Sequence, residues 1–417
     1  MPAINNWLGY TSSFTTASNW SDGVPTSDDI LVFRGPTSPP PSPPGMPPLP
    51  PTGSNTSTSF AQLPPTIPYA ADTYEGIRIL DDYAGTLTIP FDIGFGEYTQ
   101  SSGNTYTPGT DVTVTSTFSW TGGNLNTSST AGEYRIQGVP LGTVNPNGGT
   151  VSSGSTMRIE PNPTSLIGSV VTFLAGTIDW LGGEGIIVDS NSIADIKPAL
   201  PGAITFDANS AGKKIQLLEG GTATIHAKDR PTGNTDTAFF NGLNYSVENL
   251  GGTFKVHDRT NAKLTGTTTY TAAGGVTGYA AVVQTAGLTQ LEAASQITTY
   301  SDSRVVFAGG TFEVLNVNDV DLVQPEAVID GDLLIGGTAT LKMKGPKYGV
   351  LGVKERMYWS GGEIHMYIGK NEDGGVVSDL ISVVGKVAIS NNPKLKVGWS
   401  SLVPGMAKNV SWNLITS

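Results

Sequence analysis

From Tyr74 onward the chain alternates apolar and polar residues over short runs, and glycine pairs punctuate them. In Gly251-Gly252-Thr253-Phe254-Lys255-Val256, Phe254 and Val256 share one face, and Thr253 and Lys255 take the other. Gly309-Gly310-Thr311-Phe312-Glu313-Val314 repeats that pattern, and Gly220 to Ile225 resembles Gly336 to Leu341. A period of two is the signature of a strand with one buried face. A second version places tryptophan before the pair, at Trp120-Thr121-Gly122-Gly123, Trp180-Leu181-Gly182-Gly183 and Trp359-Ser360-Gly361-Gly362. Glycine at these corners permits a positive φ that a β-carbon would strain. The best candidate for a short helix is Gly287 to Ser295, and it lacks convincing helical periodicity and caps.

The glycine pairs recur at unequal intervals of roughly two to four dozen residues, the range of solenoid and propeller repeats. Blades that must close a ring need near-equal lengths, whereas a solenoid tolerates unequal loops. The pattern therefore predicts an all-β fold, a parallel β-solenoid whose rungs stack like residues on like. About 12 to 16 rungs at ~4.8 Å would give a rod of about 60–75 Å.

Three regions differ in kind. Residues 1–35 hold Trp7 and Trp20 in asparagine-rich settings, a Gly23-Val24-Pro25-Thr26 turn and the apolar run Ile30 to Phe33. They read as a cap, two indoles being large enough to cover the first rung. Residues 36–70 are rich in proline, including Pro39-Pro40-Pro41 and Pro50-Pro51, and cannot form a central strand. They read as a loop, linker or docking arm. Residues 71–417 carry the repeats.

These stretches resemble autotransporter passenger domains and the related autotransporter-associated β-strand repeat proteins of environmental bacteria, planctomycetes among them. Asn19-Trp20-Ser21-Asp22-Gly23-Val24-Pro25-Thr26, with Asp28-Asp29 before the apolar strand, is similar to the family's opening motif. Tyr74 to Ile79 and Gly85 to Ile89 resemble its first rungs, and Phe118 to Leu125 its repeat core. Ser378 to Val383, Gly385 to Ile389 and Trp412 to Ser417 resemble the last passenger strands. The resemblance implies a right-handed parallel β-helix with surface display and no catalytic residues. It also implies further chain after such a strand, or an end sealed by another subunit.

Composition narrows the function classes. The net charge is −12, which disfavours nucleic acid as a partner. No cysteine is present, so disulfides and thiolate zinc sites are excluded. No apolar run reaches the ~18 residues of a membrane span. Met1 to Asn6 lacks the basic-then-apolar pattern of a leader, so for the extracellular or cell-surface placement expected from the resemblance either the leader is absent from this chain or another export route is used.

Candidate chemistry is sparse. No nucleophile elbow, phosphate loop, dinucleotide fingerprint or HExxH stretch occurs. His226 and His257 each lie six residues after the first glycine of a pair, and both are expected to point outward. On adjacent rungs they would stack, forming either a polar ladder or part of a metal site. Asn316, Asn318, Asp319 and Asp321 offer alternating oxygens for Ca²⁺, without the glycine and distal glutamate of an EF-hand. The expectation is a non-enzymatic structural or adhesive surface protein that self-associates into an oligomer or fibre, with surface polysaccharide as a further partner. A carbohydrate-active enzyme or binding module on the same fold, and a trimeric phage tail fibre, are the alternatives.

Overall fold

The computed structural model describes residues 2–36, 53–62, 73–80, 82–126, 132–146, 150–174, 176–181, 184–197, 204–206, 212–226, 238–243, 245–257, 260–264, 266, 268–271, 277–292, 294–300, 303–315, 326–344, 349–370, 376–399 and 415–416. The fold is all-β, with two single-turn 3₁₀ segments, Ala17–Asn19 and Phe60–Gln62, among the described residues. Gly287 belongs to the Thr277–Leu291 strand, so the helical candidate there is corrected to strand. Its alternation of Leu288, Thr289, Gln290 and Leu291 follows the sheet period rather than a helical one. By internal contacts the chain divides into two compact units, residues 1–187 with 191–194, and residues 188–190 with 195–417.

In the first unit, Ala3–Asn6, Asp29–Arg34, Thr73–Leu80, Ile93–Tyr106 and Val112–Asn126 pair in parallel, each with the next. Three short strands then lie along successive stretches of the long Val112–Asn126 strand: Glu133–Gln137, Gly142–Val144 and Thr150–Ser153. These pair in turn with Thr156–Glu160, Val170–Phe173 and Gly176–Trp180. The order creates three columns of parallel strands, with each short strand bonded to the one three places on.

The first 35 residues do hold the expected aromatic cluster. Trp7, Phe14, Trp20 and Phe33 are buried, with Trp7 and Trp20 edge to face at 5.0 Å. The asparagines tie the surrounding loops. Asn19 Nδ2 donates to Thr11 Oγ1 at 2.7 Å and to the Ser13 carbonyl at 2.6 Å, and Asn5 Nδ2 donates to the Gly23 carbonyl at 3.0 Å. Asp29 Oδ2 accepts the Thr26 N–H at 2.8 Å, fixing the turn after Pro25. The cluster also draws on the stretch read as a proline-rich excursion. Phe60 is fully buried 4.6 Å from Phe14, Thr56 accepts the Trp7 Nε1–H at 3.0 Å, and Thr58–Ser59 pairs with Thr86–Thr88. Residues 53–62 thus contribute to the core, while the prolines of 37–52 and 63–72 lie outside the described residues.

The second unit repeats the three columns. One runs Lys213–Leu217, Tyr245–Val256, Thr277–Leu291, Arg304–Phe307, Asp332–Ile335, Met357–Trp359 and Val387–Ile389. A second starts at Thr222–Ile225, uses the C-terminal halves of the same two long strands, and continues through Thr311–Leu315, Thr340–Lys344, Glu363–Lys370 and Lys394–Trp399. The third runs Ala238–Leu243, Thr260–Leu264, Gln296–Thr299, Glu326–Asp330, Val350–Val353, Leu380–Val383 and Ile415–Thr416.

Inward residues of these columns are buried: Ile225, Val256, Leu291 and Val314 succeed one another in register. Like does not always stack on like. The two Thr-Phe repeats are separated by the Leu288–Leu291 stretch, which places Thr289 between Phe254 and Phe312. Thr289 is fully buried there, and its hydroxyl donates to Gln284 Oε1 at 2.6 Å, which satisfies it.

The glycine pairs have a packing reason as well as a torsional one. Gly310 has φ +70°, the left-handed region. Gly252 has no positive φ, but a β-carbon there would overlap the Gly221 carbonyl oxygen on the preceding strand. The corner is tight because parallel backbones approach each other there.

Candidate functional site

His226 and His257 close the outer edge of the second column, one residue past Thr222–Ile225 and Tyr245–Val256. Ile225 pairs with Val256, so the next residues stand directly opposite each other. Their rings stack with centroids 4.0 Å apart and planes 17° off parallel. Backbone bonds hold the column straight, with the His226 N–H on the Ile196 carbonyl at 2.9 Å and the His257 N–H on the Ile225 carbonyl at 3.0 Å.

Each imidazole has its own carboxylate. His226 Nε2 meets Asp195 Oδ1, and His257 Nδ1 meets Glu292 Oε2 at 3.0 Å. Glu292 also binds Lys255 Nζ at 2.7 Å. The side chains are roughly a quarter exposed or less, so the column is neither sealed nor fully solvated. Stacked parallel rings direct their nitrogens side by side rather than toward one point. Among the described residues, no group of three or more His, Cys, Asp or Glu is arranged to hold a metal ion. The other candidates, Asn316, Asn318, Asp319 and Asp321, lie outside the described residues. His365 stands apart from the stacked pair, in register with Lys342 and Lys396, and bonds Glu363 through Nε2 at 3.0 Å.

The same outer face continues as a charge ladder. Lys396 and His365, in that order of effect, hold the Glu363 carboxyl well below the usual range, at about 2. Glu313 pairs with Lys344 at 3.4 Å.

Three arrangements escape sequence inspection because their members are far apart in the chain. In the first unit, Arg135 and Arg158 are direct register partners, and each reaches a diagonal glutamate. Arg135 grips Glu160 at 2.8 and 3.2 Å, and Arg158 grips Glu133 at 2.8 and 2.9 Å. In the second unit, Asp332 is buried between Arg304 and Arg356. Asp379, also buried, accepts the Gly349 N–H at 2.8 Å and the Tyr367 N–H at 2.7 Å. Burial pushes its carboxyl up to about 6 despite those two donors. It thereby ties the Glu363–Lys370 strand, and the Val376–Ser378 strand antiparallel to it, to the third column.

No helix among the described residues is long and apolar enough to cross a membrane. No family model, curated protein or solved structure matches the chain.

Proposed function

We propose that this chain is a non-catalytic structural or adhesive protein of a bacterial cell surface. In this reading it is a right-handed parallel β-solenoid of the autotransporter-passenger type. The three-strand period of the columns in each unit supports the solenoid. The charged clusters support a structural role, because they pair strand to strand along a face.

One observation carries the self-association. Inward positions that are buried everywhere earlier in their columns emerge into solvent at the last described strands. Ile389 follows buried Ile335 and Trp359 in register and is 60% exposed; Leu395 follows fully buried Ile364 and is 43% exposed. Among the described residues no strand pairs beyond Val387–Ile389 or Lys394–Trp399, and a parallel edge bearing apolar side chains is a template for another chain. The occupant is a second copy. The edge carries exposed Lys394 and Lys396, which suits a chain with net charge −12.

Sedimentation velocity over a concentration series tests this reading. Oligomers should grow with concentration and disappear in an Ile389→Asp, Leu395→Asp double variant that keeps its β-sheet circular dichroism. A wild-type chain that stays monomeric throughout would refute self-association. An experimental density map showing left-handed coiling would refute the solenoid type.

A further inference from the structure

On the outer face of the second unit's first column, Val283, Val306, Leu334, Tyr358 and Ala388 succeed one another in register. Outward positions in a solvated sheet are usually polar, so this apolar strip calls for an explanation. Part of it has one. Thr268–Thr271 pairs antiparallel with the start of Thr277–Leu291 and sets Tyr270 over Val283, Val306 and Leu334, all four at most 9% exposed. The strip then continues beyond this cover to Tyr358, which is only half-buried. The next position is Ala388, exposed and too small to shield the ring.

A line of cations runs beside that ring. Arg304 opens its strand opposite Asp332, and Arg356 and Lys386 stand immediately before the next two strands, so that one anion lies among three cations. The guanidinium carbons of Arg304 and Arg356 lie 5.0 and 5.8 Å from the Tyr358 ring centroid. Asp332 orients both arginines, through Arg356 Nε at 3.0 Å and Nη2 at 2.9 Å and through Arg304 Nε at 3.5 Å. Arg304 Nη1 donates to the Tyr270 hydroxyl at 2.9 Å. Arg304 Nη2 and Arg356 Nη1 have no hydrogen bond among the described residues. The group thus has donors held in place by a buried carboxylate, an aromatic face, and a net positive charge on an acidic protein.

We infer that Arg304, Arg356, Lys386 and Tyr358 form a subsite for a carboxylated polysaccharide, a chain of uronate sugars. A guanidinium fork matches a carboxylate, and a tyrosine ring offers an apolar platform to the C–H face of a pyranose. The periodicity favours a polymer. Both guanidiniums converge on Asp332 Oδ2, while from Arg304 to Lys386 the backbone climbs three strand spacings, ~14 Å, a span longer than a single sugar. The inference rests on the adhesive part of the reading above and is independent of self-association.

The test is titration calorimetry of the full chain with oligogalacturonate, with a cello-oligosaccharide of equal length as neutral control and dextran sulfate as an arm for bare charge attraction. Oligogalacturonate should bind and the neutral oligomer should not. Arg356→Ala and Tyr358→Ala should each weaken binding at least tenfold. Lys386→Glu, on an exposed turn where folding is not at stake, should weaken it at least threefold. Lys344→Ala, an exposed lysine of the next column, should leave it unchanged. Absence of oligogalacturonate binding would overturn the inference, as would equal binding of the neutral oligomer, equal loss in Lys344→Ala, or dextran sulfate binding as tightly and surviving Tyr358→Ala. Sedimentation of the same samples reports self-association separately, so the two readings can fail independently.

Discussion

Two regions solve one problem in different ways: what to do when a parallel register sets like residues side by side. In the first unit the pair is Arg135 and Arg158, in the second His226 and His257. Arginine is always charged, so direct opposition is repulsive unless anions intervene. Glu133 and Glu160 supply them diagonally, each in a two-point grip. Imidazoles are flat and can stack face to face, and these do at 4.0 Å with one carboxylate on each. The arginine arrangement rests on its carboxylate partners, whereas the histidine arrangement adds ring contact to its carboxylate bonds. The comparison teaches that the ladder dictates adjacency and side-chain chemistry dictates its energetic consequence.

The sharpest way to break the contrast is to remove both diagonals. Glu133→Gln with Glu160→Gln leaves two guanidiniums facing each other and should cost about 4 kcal/mol, read as a lowered urea midpoint. Breaking a buried ion pair costs about 3–5 kcal/mol, but these arginines are 22–37% exposed, which lowers the figure for each pair.

A buried carboxylate held by two backbone donors extends the comparison. Burial raises Asp379 to about 6, whereas the Arg78 hydrogen bond holds Glu97 below the ordinary range. For Asp379 the folded state holds its proton more tightly than the unfolded chain. Its contribution is therefore full below about pH 4 and is lost as pH rises through 6. Wild type should lose about 3 kcal/mol relative to Asp379→Asn between pH 4 and pH 7, using about 1.4 kcal/mol per unit. Glu97 contributes in the opposite sense, losing stability as pH falls through its lowered value. The difference between wild type and Asp379→Asn across urea titrations isolates the Asp379 component.

Arg158→Lys keeps the charge and loses the fork, so its cost should be about 1 kcal/mol by the same denaturation assay. The smallest effect belongs to the histidines. His257→Gln preserves a polar side chain on a partly exposed ladder and should change stability by no more than about 0.5 kcal/mol. A loss as large as that of Glu160→Gln would erase the distinction between the two pairs.

Much of the strand pattern was legible because a period of two needs only local sequence. Phe254 and Val256 fall inside, and Thr253 and Lys255 outside, as their alternation requires. The histidine stack was legible too, because both residues keep the same offset from a glycine pair. Thr289 in the phenylalanine column was not, because the Leu288–Leu291 stretch carries no glycine pair to mark its level. The part that Thr56 and Phe60 play in the core was hidden by the prolines on both sides of them.

The sequence by itself determined that this chain makes short half-buried strands, where it turns, and which faces are apolar, since those follow from alternation and from glycine. Only the tertiary structure decided which strands become neighbours, and hence that Arg135 meets Glu160, that Asp332 sits between two arginines and that Asp379 receives two backbone donors. The physical reason is register. Loop length varies freely between levels, so pairing across dozens of residues is fixed by the packing of the whole column and not by any local run of residues.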